Sequence, residues 1–449
     1  MSMEQGLIVS VSGIRGIIGE SLTPAAALAF AQALGGHTGG GKMIVSRDGR
    51  PSGIMLGHAV LAGLTAAGCE VGDIGVASTP TVGLAVRHLQ AAGGIQITAS
   101  HNPAPWNGLK LFGPDGRVLS AGEGRKVQAR FESGVGLCVP WNAVGKVRHF
   151  QDAEELHCHR VLERIDVRRI RADGLRAFLD ANGGAGGALG RRLLQALQVE
   201  TTCRGGEADG VFLHEPEPTS ENLRDICPLV VAQRADIGFA LDPDSDRLAL
   251  IDETGRYIGE ELTLALALSF CLRHERGPVV INMSTSRINE DIAAKYGCAC
   301  HRAAVGEANV ADKMLEVGAI LGGEGNGGVL DPRIGLVRDP FIGMGLVLNL
   351  MAETGRKLSE LVGELPVYHI VKDKYTVPRE RLPALYESLT KRWPEAAVNR
   401  LDGLRLDWPD RWLHVRPSNT EPIIRVIAEA PNQSDAKKLC KAVGALLQS

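Results

Sequence analysis

Asp242-Pro243-Asp244-Ser245-Asp246-Arg247 places three carboxylates at i, i+2 and i+4 between two apolar runs, Ile237 to Leu241 and Leu248 to Ile251. Carboxylates so close repel one another, and a hard divalent cation that prefers oxygen is their natural occupant; the bland alternative is a solvated acidic loop. A calcium loop of the EF-hand kind would carry glycine where Arg247 stands, so calcium is set aside. Arg247 beside the aspartates is explained if a phosphate shares the site. A second stretch, Thr98-Ala99-Ser100-His101-Asn102-Pro103, supplies a small hydroxyl nucleophile. Gly94 to Thr98 alternates like a short strand, and Asn102-Pro103 forces a turn, so Ser100 is expected on a loop at a strand end, either as a nucleophile or as a turn serine.

Other stretches suit anions and polyols. Arg416-Pro417-Ser418-Asn419-Thr420-Glu421-Pro422-Ile423-Ile424-Arg425 gathers hydroxyls, an amide and two arginines, either as an anion cup or as a surface turn with incidental cations. Gly322-Gly323-Glu324-Gly325-Asn326-Gly327-Gly328 offers a carboxylate and an amide on a slim backbone, suited to vicinal sugar hydroxyls or to a hinge. Arg15, between Gly13 and Gly16, and Lys110, in Asn107-Gly108-Leu109-Lys110, read on their own as turn and surface residues. Gly183-Gly184-Ala185-Gly186-Gly187 resembles a phosphate cradle in composition only, and a tight connection is expected there. His157-Cys158-His159 cannot all face one ion, so no metal is assigned to them.

These groups must be held by several cores, because 449 residues suggest roughly three domains on a ~150-residue prior. Hydrophobic content of 44% and charged content of 22% are those of an ordinary soluble protein. With 49 Lys and Arg against 52 Asp and Glu, no global field favours nucleic acid or a membrane surface, and an anionic substrate must find local cations. No apolar run approaches the ~20 residues of a membrane span, no leader pattern follows Met1, and the nine cysteines lack a paired Cys-x-x-Cys. A cytoplasmic protein with reduced thiols is expected.

Three segments share the order strand, amphipathic helix, strand. They are Met43 to Asp48, Gly57 to Gly68 and Cys69 to Val71; Leu175 to Asp180, Gly190 to Gln198 and Val199 to Thr201; and Pro278 to Asn282, Ile288 to Tyr296 and Cys298 to Cys300. This predicts three related α/β domains in tandem, with a smaller α+β domain closing on a helix from Ser434 to Leu447. The expected borders are 1–148, 149–250, 251–366 and 367–449.

In order, five of these motifs resemble those of the α-D-phosphohexomutases, which interconvert hexose 1- and 6-phosphates. Thr98 to Pro103 resembles the phosphoserine loop, and Ser12-Gly13-Ile14-Arg15-Gly16 the N-terminal signature whose arginine approaches the active-site phosphate. Asp242 to Arg247 resembles the metal loop, usually Asp-Gly-Asp-Gly-Asp-Arg, with Pro243 and Ser245 replacing two glycines. The sugar loop commonly reads Gly-Glu-x-Ser-Gly-His; here Glu324 matches, Asn326 stands at the serine and Gly328 at the histidine, as in archaeal-type mutases. Arg416 to Arg425 resembles the loop that holds the non-reacting phosphate.

The resemblance implies three α/β domains with mixed sheets and a smaller α+β domain around a central cleft. It implies a phosphorylated Ser100 as phosphoryl carrier, Mg²⁺ on Ser100, Asp242, Asp244 and Asp246, and Arg15 and Arg247 offsetting charge. Lys110 would serve proton transfer or charge neutralisation; Glu324 and Asn326 would bind the sugar; Arg416, Ser418, Asn419, Thr420 and Arg425 would hold phosphate. A hexose 1,6-bisphosphate is the implied activator and a hexose phosphate the partner, with no nucleic acid or membrane, in a monomer or homodimer. Asn326 and Gly328 open the sugar loop and leave an amide beside Glu324 to accept hydrogen bonds from a protonated 2-amino group, which favours glucosamine phosphate over glucose or mannose phosphates. A metal-dependent phosphatase would not need a second phosphate cup, and a mere sugar-phosphate sensor would not need Ser100 and three aspartates.

Overall fold

In the computed structural model, which describes residues 6–134, 136–418 and 423–448, each expected strand-helix-strand segment forms a parallel strand pair. The segments are Met43–Arg47, Ser52–Ala66 and Val71–Val76; Arg176–Asp180, Gly187–Ala196 and Glu200–Arg204; and Val279–Asn282, Ile288–Lys295 and Cys300–Ala303. On the other side of the first strand another is added in parallel: Gly93–Ile97, Ile237–Leu241 and Leu321–Glu324, respectively. The chain then returns antiparallel, as Trp106–Phe112, Leu248–Asp252 and Gly328–Leu330. The turns between these last two strands are 98–105, 242–247 and 325–327, which carry Ser100, the three aspartates and the sugar loop. Three chemically different motifs thus occupy one topological position, at the carboxyl ends of parallel strands, where loops of α/β proteins gather ligands.

The three sheets have seven, five and four strands, and a fourth, antiparallel sheet of five strands runs His369–Thr376, Ile423–Ala430, Trp412–Pro417, Leu404–Asp407, Ala397–Asn399. Two expected borders cut strands. Residue 250 falls inside Leu248–Asp252, which also pairs with Tyr257–Gly259, so the second sheet extends to 259; residue 148 falls inside Val147–His149, the parallel edge strand of the first sheet. In both places the border falls in a strand that pairs with one earlier in the chain, and Leu248–Asp252 pairs with a later one as well.

Central strands are buried throughout, as Ile237–Leu241 and Val279–Asn282 are, which is why they read as continuous apolar runs. Helix Pro340–Thr354 is buried on nearly every face in its first three turns, beginning at Asp339, whose carboxylate accepts from Phe341 N and Ile342 N, with Pro340 in the first turn, and ending at Gly355 with φ +60°. It packs with Glu261–His274 in one apolar core that unites the second and third domains. The nine cysteines are unbridged, and among the described residues no helix is long and apolar enough to cross a membrane.

Candidate active site

Ser100 takes the left-handed conformation, φ +51°, that a β-substituted residue adopts only when held. The Arg50 guanidinium donates to Ser100 O at 2.8 Å and Asn102 O at 2.6 Å, and is itself bound by the Asp48 carboxylate. Asp48 Oδ2 also accepts from Thr98 Oγ1 at 2.7 Å, and Thr98 Oγ1 accepts from Ser100 N at 2.8 Å. A buried ion pair therefore grips the serine's backbone on both sides, leaving Oγ 3.1 Å from Asp242 Oδ2 and 3.2 Å from His101 Nδ1. Burial, reinforced by Arg247 and Arg15, pulls His101 down to about 3, so its imidazole is neutral at neutral pH.

In the aspartate loop, one oxygen from each of Asp242, Asp244 and Asp246 lies within 4.8 Å of the others, all buried. Asp242 Oδ1 accepts from Asp246 N and Arg247 N, both at 3.0 Å, and Thr79 Oγ1 donates to Asp244 Oδ2 at 2.7 Å. Ser245, at a position where the family usually has glycine, has φ +51°. Its room comes from the Gly183–Gly187 stretch: a Cβ on Gly186 would stand 2.3 Å from Ser245 Oγ, and one on Gly184 would stand 2.7 Å from Pro243 Cα. The glycines are thus a packing surface for the two substituted loop residues, in keeping with a tight connection.

The carboxylates fit a hard cation. Asp244 Oδ1 and Asp246 Oδ1 are buried without a hydrogen-bond partner among the described residues. Burial, and then repulsion from Asp244 and Asp246, raises Asp242 well above the usual carboxylate range. Asp246 feels the same burial, but Arg338, Lys110 and Arg247 outweigh it and hold it low. Lys110 Nζ lies 2.7 Å from Asp246 Oδ2 and 3.3 Å from Asp244 Oδ2. Burial alone would lower its ammonium, but those aspartates push it up to about 12. Of its two expected roles, this geometry serves charge neutralisation, because so strongly held a proton makes a poor base. Arg247 lies 3.9 Å from Asp242 and 3.3 Å from Glu217, and Arg15 Nη1 is 3.4 Å from Asn102 Oδ1.

Arg338, which local reading passed over, joins the aspartate and sugar loops. Its guanidinium donates to Asp246 Oδ2 at 2.5 Å and Glu324 Oε2 at 3.1 Å, and its Nε lies 3.3 Å from Glu307. The other oxygen of Glu324 accepts from Asn282 Nδ2 at 2.8 Å and Gly306 N at 3.1 Å. Asn326 Nδ2 donates to Glu324 at 3.4 Å while its Oδ1 accepts from Gly328 N at 3.3 Å. The expectation that Gly328 opens the loop is corrected. A Cβ on Gly328 would meet Arg338 Cδ at 2.2 Å, so the arginine's stem fills the space, and the amide oxygen is engaged within the loop. The signal available in sequence was Asp339-Pro340, a helix start that fixes the residue before it.

In the fourth domain, Arg416 and Arg425 are directly opposite on neighbouring strands, and Lys374 is opposite Arg425 on the next. Arg416 and Ser418 are buried, whereas Arg425 is exposed. Asn419 and Thr420 lie outside the described residues. Asp402 Oδ2 accepts from Arg416 Nε at 2.9 Å and Val305 N at 3.0 Å, tying this cup to the Val305-Gly306-Glu307 segment behind Glu324. His157 is buried, whereas His159 is largely exposed, so the His-Cys-His run does not converge.

Four models of one family match the chain in series: "Phosphoglucomutase/phosphomannomutase, alpha/beta/alpha" domain I over residues 6–135, domain II over 155–255, domain III over 259–368, and the C-terminal domain over 375–445. A Methanopyrus kandleri protein named "Probable phosphoglucosamine mutase" is 36% identical over 440 residues, 97% of this chain and 96% of its own. A Thermococcus kodakarensis protein named "Phosphoglucomutase/phosphomannomutase" is 35% identical over 446 residues, covering 96% of both chains. The crystal structure of a phosphoglucomutase/phosphomannomutase family protein from Burkholderia thailandensis superposes with TM-score 0.86 at 27% identity, covering 96% of this chain and 95% of that one.

Proposed function

The chain belongs to the phosphoglucomutase/phosphomannomutase family, and from that premise we propose that it interconverts glucosamine 6-phosphate and glucosamine 1-phosphate through a phosphorylated Ser100 and a bisphosphate intermediate. The observation that carries the reaction is the meeting of Ser100 with three buried aspartates and four cations, Lys110, Arg338, Arg247 and Arg15. The sugar rests on the full-length relative named for glucosamine.

Phosphoryl transfer is largely positioning and charge stabilisation. A free hydroxyl of the sugar phosphate attacks the phosphorus on Ser100; the bond to Oγ breaks, Oγ ends with the proton the hydroxyl loses, and the sugar leaves the step as a bisphosphate. After the bisphosphate turns over, Oγ attacks its other phosphate, the bond from that phosphorus to the sugar oxygen breaks, and the phosphoserine is regenerated with release of a sugar monophosphate. The proton that Oγ gives up passes to the departing sugar oxygen, and His101 Nδ1, 3.2 Å from Oγ, orients that hydroxyl for attack. Asp242, Asp244 and Asp246, with Ser100, would hold Mg²⁺, which when bound stabilises charge on the transferring group. Arg15 and Arg247 offset phosphate charge, while Lys110 and Arg338 neutralise the aspartates that face it. Glu324 and Asn326 would orient sugar hydroxyls, and Arg416, Ser418, Asn419, Thr420 and Arg425 would grip the phosphate that is not reacting.

A second reading, glucose or mannose phosphates as substrates, is favoured by the Arg338–Glu324 pair, which already neutralises the carboxylate an amino group would seek. Turnover of glucosamine, glucose and mannose 6-phosphates with a bisphosphate activator decides between them. We expect the highest kcat/KM for glucosamine 6-phosphate and loss of turnover in chelator. A preference of about tenfold for glucose or mannose, equivalent to ~1.4 kcal/mol, promotes the second reading. Release of inorganic phosphate as the main product overturns both.

A further inference from the structure

One fully buried imidazole stands where the first three domains meet. His157, on helix Ala153–Arg164, has Nδ1 2.8 Å from Thr81 Oγ1 on helix Thr79–His88 and Nε2 2.9 Å from Asp339 Oδ2, the N-cap of Pro340–Thr354. A carboxylate can only accept, so Nε2–H donates to Asp339, and in that tautomer Nδ1 accepts from the Thr81 hydroxyl. Thr81 Oγ1 is in turn 2.7 Å from Ser78 Oγ. The ring meets Phe341 edge-on, with centroids 5.4 Å apart.

Each end of this crossbar lies next to a group that holds an aspartate. Two residues before Thr81, Thr79 donates through N to Asp244 O at 2.9 Å and through Oγ1 to Asp244 Oδ2 at 2.7 Å. One residue before Asp339, Arg338 bridges Asp246 and Glu324. Packing alone would be served by an apolar ring here; two directional bonds to two other domains serve geometry.

We propose that His157 is a positioning residue, a crossbar that keeps Thr79 on Asp244 and Arg338 on Asp246 and so sets the shape of the metal-binding loop from behind. It touches none of the reacting atoms. The inference rests on the reading of the three aspartates as an Mg²⁺ site.

His157→Phe keeps the ring and its edge contact with Phe341 but makes neither bond. The measurements are Mg²⁺ affinity by calorimetry on bisphosphate-treated protein, kcat and KM normalised to the fraction of phosphorylatable Ser100, and Tm. We expect Mg²⁺ affinity and kcat each to fall about tenfold or more, as when outer-shell partners of a metal site are removed, with KM for the sugar phosphate little changed. His157→Gln, which retains an N–H donor for Asp339, should recover much of kcat. Thr81→Val, which removes only the other bond, should weaken Mg²⁺ with a smaller loss of kcat. A folded His157→Phe protein with lowered Tm but wild-type Mg²⁺ affinity and kcat makes His157 a packing residue and overturns the proposal. Should that variant not fold, wild-type affinity and kcat in both His157→Gln and Thr81→Val overturn it equally. Wild-type protein that binds no Mg²⁺ removes the metal reading itself, and this inference with it.

Discussion

At Ser100 the serine, the three aspartates and Lys110 are buried and bonded from behind, whereas in the fourth domain Arg425 stands exposed on a sheet with a core of its own. The second and third domains share one core that also takes in Leu84 of the first. Among the described residues, the fourth domain's core draws on positions 371 to 447 alone. It meets the third domain through polar contacts, among them Asp402 with Val305 N at 3.0 Å, His414 with Ser284 at 3.0 Å and Glu429 with Arg287 N at 3.0 Å. A transferring phosphoryl needs preorganised charge that does not relax during the step. In the proposed cycle the non-reacting phosphate needs a grip that can be released, so that the bisphosphate can turn over. Interlocked cores serve the first need, and a separately cored domain joined by hydrogen bonds serves the second.

The largest expected effect is at the buried centre. Ser100→Ala should lower kcat by about three orders of magnitude or more, as removing a covalent carrier does, while leaving thermal unfolding nearly unchanged. Intact-mass analysis after bisphosphate treatment checks the cause: wild-type protein gains one phosphoryl mass, and equal gain by the alanine variant would move the carrier elsewhere. Next comes Arg50→Lys, which preserves charge but loses the fork that holds Ser100 O and Asn102 O together. A loosened serine should cost about 10- to 100-fold in kcat with KM little altered. An unchanged kcat would mean that the grip on the backbone is not needed for transfer.

In the fourth domain the signature should reverse. Arg425→Ala should raise KM for the sugar phosphate about tenfold, the worth of one charge-assisted hydrogen bond, with a smaller fall in kcat. A loss confined to kcat would erase the contrast between a reacting centre and a gripping one.

The smallest effect concerns the border between the two regions, where Glu261 accepts from Ser286 N at 3.1 Å and lies 4.0 Å from Lys372 of the fourth domain. Burial pushes Glu260 and Glu261 up from 4.5 to about 7. The folded protein then keeps protons that the unfolded chain has released, so this contribution is fully present below about pH 4.5 and is lost as pH rises through 7. Glu261→Gln, whose amide oxygen still accepts from Ser286, should raise Tm at pH 8 by about 1–2 °C and leave it unchanged at pH 4. Equal shifts at both pH values would show that Glu261 acts through its contacts and not through its charge.

The groups legible in sequence were those whose chemistry is contiguous. Three carboxylates at alternate positions between apolar runs repel one another wherever the chain goes, and Ser100 before Asn-Pro must leave its strand. The strand-helix-strand repeats were equally plain, because buried parallel strands and amphipathic helices print their periods locally. The borders expected at 148 and 250 fall within strands because an edge or return strand belongs to whichever sheet it pairs with, and pairing is not local.

What assembly alone decided is the charge balance. Arg338 is 92 residues from Asp246, Lys110 is 136, and Thr79 is 165 from Asp244, so no local pattern could tell which cation would neutralise which aspartate. Lys110 read as a base or a counter-charge until two aspartates from another domain held its proton. Gly328 read as space until the stem of Arg338 filled it. A residue's type and neighbours set the chemistry it can do; its charge state and free volume depend on groups that only folding brings within a few ångströms.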